Sequence, residues 1–101
     1  MKDKILNMLG LAEKAGKVVS GEFMTEKAVG SGKATSVILA ADASENTRHK
    51  FTEKCSFYKV PVYVYSTKND LGHAIGREER SCMAVCDRGF SDAIGKLLGK
   101  L

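Results

Sequence analysis

The sequence has one proline, three cysteines and no apolar run long enough to span a bilayer. No signal-peptide pattern opens it. An odd number of cysteines does not make a disulfide framework, so a reduced, cytoplasmic setting is the simplest expectation. A single proline and the lack of any repetitive tract speak against a disordered tail. Catalytic signatures are missing too: there is no G-x-S-x-G elbow, no Walker loop and no Rossmann glycine pattern. His49 and His73 stand alone, with no nucleophile placed beside either. Cys82 and Cys86 fall four apart on an expected strand and share a face. Without a His or Cys pair at zinc spacing they read as small core residues, as does Cys55. The expectation is a protein with no metal, no cofactor, no membrane segment and no enzymatic chemistry.

What is present describes one ordinary domain over residues 1–101. Hydrophobic residues make up 44% and charged residues 28%, enough for a core that needs no staples. A chain of this size buries roughly two-thirds of its unfolded surface. Sixteen Lys and Arg against twelve Asp and Glu give a net charge of +4, with a pI near 9.0. This mild basicity suits nucleic acid without requiring it. Each half carries eight basic and six acidic residues, so any basic patch must be built by the fold.

Along the chain, Ile5, Met8, Leu9 and Ala12 recur at helical spacing, predicting a helix over Asp3–Ala15 that stops at Gly16. "KVVS" is a short strand. A second helix runs from Gly21 to Val29, and Gly30 and Gly32 supply its reversal. "SVILAA" is a continuous apolar run, as expected of a strand covered on both faces. Ser44 caps a third helix carrying Phe51, Cys55 and Tyr58 on one stripe. "VPVYVYS" is a strand begun by Pro61. "TKND" opens a fourth helix, in which Gly72 permits close packing against the sheet. "SCMAVCD" is the last strand, and a final helix carries Phe90, Ile94, Leu97, Leu98 and Leu101. Alternating helices and strands argue for a central sheet with helices on both faces.

The second helix poses the functional question. At 100° per residue, Met24, Thr25, Ala28 and Val29 share the natural buried arc, and Phe23 and Lys27 lie opposite. Phe23 either points outward or plugs a gap under a neighbouring loop. If it points outward, the free N–H groups near Gly21, the Lys27 charge and the Phe23 ring combine the elements of RNA contact. Glu22 and Glu26 oppose this by adding negative charge. Lys14, Lys17 and Lys33 either extend a basic rim near the start of this helix or are ordinary solvated lysines.

Five stretches in order, "MLGLAEKAGKVVSGE", "VILAADASENT", "CSFYKVPVYVY", "LGHAIGREER" and "AVCDRGFSDAI", cover nearly the whole chain. In these it resembles the ribosomal-protein family that binds kink-turn RNA, the seven-Ae and thirty-e type, and within it the small bacterial YlxQ-type branch. The resemblance implies an α/β fold, a single-domain, three-layer α/β/α sandwich with a mixed four-stranded sheet. It implies an RNA-binding end made by the start of helix two and the loop after helix four. The family motif there is Gly-x-Asn-Glu-x-x-Lys. Gly21 and Lys27 match it, Glu22 fills the variable place, and Phe23 and Met24 occupy the Asn and Glu positions. Neither can make the base-edge hydrogen bonds of those polar side chains. Leaving two such groups unpaired costs about 1–3 kcal/mol each, against about 1–3 kcal/mol returned by a stacking ring. In the loop, Ile75 and Gly76 take the place of the family's small apolar residues. Arg77 and Arg80 either pair with phosphates or are neutralised by Glu78 and Glu79 in a solvated turn. The implied partners are structured, ribosomal RNA and other ribosome-associated proteins. The alternative is a protein-interaction module that kept the fold and docks through Phe23 and Met24.

Overall fold

In the computed structural model, which describes residues 3–101, the Asp3 carboxylate accepts from the Leu6 N–H at 2.9 Å and so opens the first helix. The same local chemistry starts three of the other four. Ser44, Thr67 and Asp87 each accept a backbone N–H three residues on. The elements are α1 (Lys4–Lys14), β1 (Val18–Ser20), α2 (Glu22–Gly30), β2 (Ser36–Leu39), α3 (Glu45–Tyr58), β3 (Val62–Val64), α4 (Lys68–Ala74), β4 (Cys82–Val85) and α5 (Arg88–Leu98). This is the α/β alternation that the sequence predicts. The reversal after α2 belongs to Gly32 alone, at φ +80°. Gly30 is still helical.

The sheet order is β1-β4-β2-β3. β2 and β3 are parallel, with Val37 opposite Val62. β4 runs against both β1 and β2, with Ala84 opposite Val19 and Val37. Strands β1, β2 and β3 therefore point the same way and β4 points back, which makes the sheet mixed. Successive side chains of β2 enter opposite faces. Ile38 packs with Leu9, Leu71, Met83 and Ile94 on the side of α1, α4 and α5. Val37 and Leu39 pack with Val29, Phe51 and Cys55 on the side of α2 and α3. The result is a three-layer α/β/α sandwich, and both faces of β2 are covered, as its unbroken apolar run implies.

Two expected stripe residues lie outside the core. Leu101 is exposed because α5 ends at Leu98 and no stripe reaches it. Tyr58, in the last turn of α3, is half-exposed and sits edge-on to Phe57 with ring centroids 5.0 Å apart. Cys55 and Cys82 are core residues and Cys86 is half-buried. Burial pushes the Cys55 thiol up to about 11 and raises the other two.

Candidate nucleic-acid interface

Because β1, β2 and β3 share a direction, their C-terminal ends lie at one end of the sheet. α2, α3 and α4 all begin there. Residues from all three starts line one small cavity of about 280 Å³, namely Glu22, Ser44, Thr47 and Lys68, together with Glu79 and Ser81 beside β4. Helix N-termini carry partial positive charge and unpaired N–H groups. Gathering three at one end biases it toward anions before any side chain is counted.

Of these starts, only that of α2 has no side-chain cap. Its N-cap is Gly21, at φ +88° and ψ 159°, a backbone conformation that glycine adopts freely and other residues avoid. The Gly21 N–H is spent on the Cys82 carbonyl at 3.0 Å. Those of Glu22, Phe23 and Met24 find no acceptor among the described residues. A Cβ added at Gly21 would meet nothing within 4 Å, so the approach is open. Phe23 points outward, 75% exposed, and does not plug a gap. Lys27, one turn on, is exposed and without a partner among the described residues. Met24 departs from the expectation of burial: it lies at the edge of the apolar arc and is 43% exposed. Thr25, Ala28 and Val29 alone form the buried face.

The two acidic residues of α2 are turned away from Phe23 and held by α3. Glu22 accepts from the Thr47 hydroxyl at 3.0 Å and lies 3.7 Å from Lys50. Glu26 meets Lys50 at 3.0 Å and Lys54 at 3.4 Å. The Lys50 ammonium holds the Glu26 carboxyl below its ordinary range, and Glu26 in turn raises Lys50. The negative charge that counts against this helix in the sequence is thus balanced by lysines from its neighbour.

The loop after α4 is fastened in three places. A Cβ at Gly72 would stand 1.9 Å from the Glu78 carbonyl oxygen, so Gly72 serves close packing against this loop and not against the sheet. Arg80 donates from Nε to the Ser20 hydroxyl at 3.0 Å. It also donates to the carbonyls of Glu78 and Glu79 at 3.3 and 3.1 Å. Its guanidinium joins the loop to the end of β1, one residue before Gly21. Arg77 is exposed and pairs with Glu13 of α1 at 3.4 Å. Gly76 is exposed at φ +72°.

Two residues expected at this site are elsewhere. Ile75 is only 5% exposed and belongs to the core beside Leu71. Its apolar side chain completes the α4 stripe. Lys17 lies at the opposite end of the sheet, where its carbonyl accepts from the Cys86 N–H. β1 runs from Lys17 toward Gly21, so about four residues at 3.3 Å each separate them. Lys33, just before Thr35, whose N–H bonds Val85, belongs to that far end too.

The model of the ribosomal protein L7Ae/L30e/S12e/Gadd45 family matches residues 3–95. The chain belongs to this family. It is 45% identical over 91 residues to the RNA-binding protein YlxQ of Bacillus subtilis (strain 168), covering 90% of this chain and 91% of that one. It is 37% identical over 93 residues to the large ribosomal subunit protein eL30 of Methanopyrus kandleri, covering 90% and 85%. A solved structure of a protein of unknown function from Bacillus halodurans C superposes with a TM-score of 0.92 at 42% identity, covering 95% of this chain and 97% of that one.

Within this L7Ae/L30e-family chain, sequence reasoning missed the lysines of α3 and the inward turn of Arg80. A signal for the lysines exists. Glu22 and Glu26 are four apart, as are Lys50 and Lys54, and residues at that spacing share a helix face. Two such faces on consecutive helices can meet. Nothing local foretells Arg80, whose partner Ser20 lies 60 residues away.

Proposed function

We propose that this protein binds structured, kink-turn-like RNA at the uncapped start of α2, in the cytoplasm and in association with the ribosome, and that it carries out no chemistry. The observation that carries the reading is the exposed Phe23 ring beside helix N–H groups and a Lys27 that have no partner among the described residues, in a family whose named members include an RNA-binding protein and a large ribosomal subunit protein. Phosphate would lie against the N–H groups of Glu22, Phe23 and Met24. Lys27 and the exposed Arg77 would add charge, and the ring would stack on an unpaired base. Arg80 would hold the loop in position and Gly76 would keep the approach clear. Recognition would rest on shape, stacking and phosphate contact, since Phe23 and Met24 offer no polar group to a base edge.

Mobility shifts with a kink-turn, a plain duplex and a plain hairpin loop of equal length test this. The expected result is tightest binding to the kink-turn. Equal weak binding to all three overturns kink-turn recognition. One observation favours a second reading: Phe23 and Met24 are exposed side by side and form an apolar spot suited to a protein partner. A ribosome-associated partner that stays bound after ribonuclease digestion, and is lost with Phe23→Ala, supports that reading.

A further inference from the structure

At the end of the sheet opposite the α2 start is a cavity of about 360 Å³, within the size range of small-molecule sites. Its buried polar lining residues are Ser36 and Ser91, 1% and 7% exposed. The hydroxyl directions there follow from counting protons. Thr35 Oγ1 donates its only proton to the Val85 carbonyl at 2.8 Å. The 2.6 Å contact between Thr35 and Ser91 must then be donated by Ser91. The 2.8 Å contact between Ser91 and Ser36 must be donated by Ser36. The hydroxyl protons of Thr35, Ser36 and Ser91 are all spent, so these three side chains offer only acceptor lone pairs. The walls are the rings of Tyr58 and Tyr63 and Pro61. Lys59, Arg88 and Asp92, all exposed, complete the lining and have no ion-pair partner among the described residues. Arg88 and Asp92 are one turn apart on α5 and do not pair with each other.

An occupant that donates hydrogen bonds to these hydroxyls, is flat and apolar on its faces, and carries negative charge toward Lys59 and Arg88 fits this lining. We propose that this cavity binds a guanine nucleotide. The base edge that donates two N–H groups would face the Asp92 carboxylate and the serine floor, the faces would lie along the tyrosine rings, and the phosphate would meet Lys59 and Arg88. A carboxylate accepts two parallel N–H groups, and no other RNA base presents that pair. The nucleotide is either free or an unpaired guanosine in an RNA strand. Neither source depends on the α2 reading, because the two sites occupy opposite ends of the molecule.

Backbone amide shifts of the full-length protein, followed during titration with 5′-guanosine, adenosine and uridine monophosphate and with inorganic phosphate, test the inference. Guanosine monophosphate should move the signals of Thr35, Tyr63 and Ser91 and leave Phe23 and Lys27 in place. It should bind about tenfold more tightly than uridine monophosphate. Arg88→Ala should weaken every nucleotide alike. Asp92→Asn should remove the guanine preference and favour xanthosine monophosphate, whose C2 oxygen accepts where the guanine amine donates. Both residues are exposed, so the variants should melt with the parent. A heptamer of uridines with one central guanosine separates the sources. Pocket shifts with the heptamer place the guanosine in RNA, and shifts with the monophosphate alone make it a free nucleotide. No pocket shift with either, or equal shifts from all three nucleotides and phosphate, overturns the inference.

Discussion

Phe23 was legible from rotation alone: 100° per residue sets it away from the arc of Thr25, Ala28 and Val29, and nothing long-range covers it. Met24 was not, because a residue at the rim of an arc is buried or exposed according to what packs beside it. The exposed ring contributes little to the core, so Phe23→Ala should leave the melting temperature unchanged. It should weaken binding of the preferred RNA by about tenfold or more, read by filter binding alongside a thermal melt. Gly72 gives the opposite case. A Cβ there collides with the Glu78 carbonyl, and backbone cannot swing aside as a side-chain tip can. Gly72→Ala should cost about 1–3 kcal/mol in urea unfolding and should weaken RNA binding as the loop is displaced. The sequence placed Gly72 in close packing but not against this loop, since a glycine shows where space is short and not what fills it.

Helix starts were the most legible elements, because a cap oxygen and the N–H that donates to it lie three residues apart. Asp3 shows how far that local logic reaches before a distant partner enters. Burial pushes its carboxyl up, but hydrogen bonds from the Tyr65 hydroxyl and the Leu6 and Ile5 N–H groups outweigh burial and hold it below its ordinary 3.8. The Asp3 carboxylate in turn raises the Tyr65 phenol from 10.0 to about 12. The bond needs the acid ionised and the phenol protonated. Its contribution is therefore present from above pH 3.8 up to pH 10. It is lost on the acid side as pH falls through the depressed Asp3 value, and on the alkaline side between pH 10 and about 12. Tyr65→Phe should cost about 1 kcal/mol at neutral pH and flatten both flanks of the urea midpoint plotted against pH. Matched lysines on α3 are an element-scale feature of a different kind. Glu22 and Glu26 look unfavourable until two helices are placed side by side.

At the scale of the molecule, the alternation of helix and strand announced a layered α/β fold, and the apolar run of β2 announced its covered centre. Strand order was not readable, and with it went the position of Lys17. Four residues from Gly21 in sequence looks close on paper, but along an extended strand it is most of the height of the sheet. With Lys27 and Lys68 as the cations at the α2 end without an ion-pair partner among the described residues, the logarithm of the RNA association constant should fall against the logarithm of salt with a slope of about −1 to −2. Lys17→Glu should leave that slope unchanged, and Lys27→Glu should flatten it, as fluorescence anisotropy across a salt series would show.

The bond between Arg80 and Ser20 has a kinetic corollary. It ties the loop after α4 to the end of β1, 60 residues away in sequence and next to Gly21, so the loop and the α2 start are already joined in the unliganded protein. A docking molecule then meets a fixed jaw, and little ordering entropy is left to lose on contact. Association should proceed in a single phase, with no slow closing step to follow.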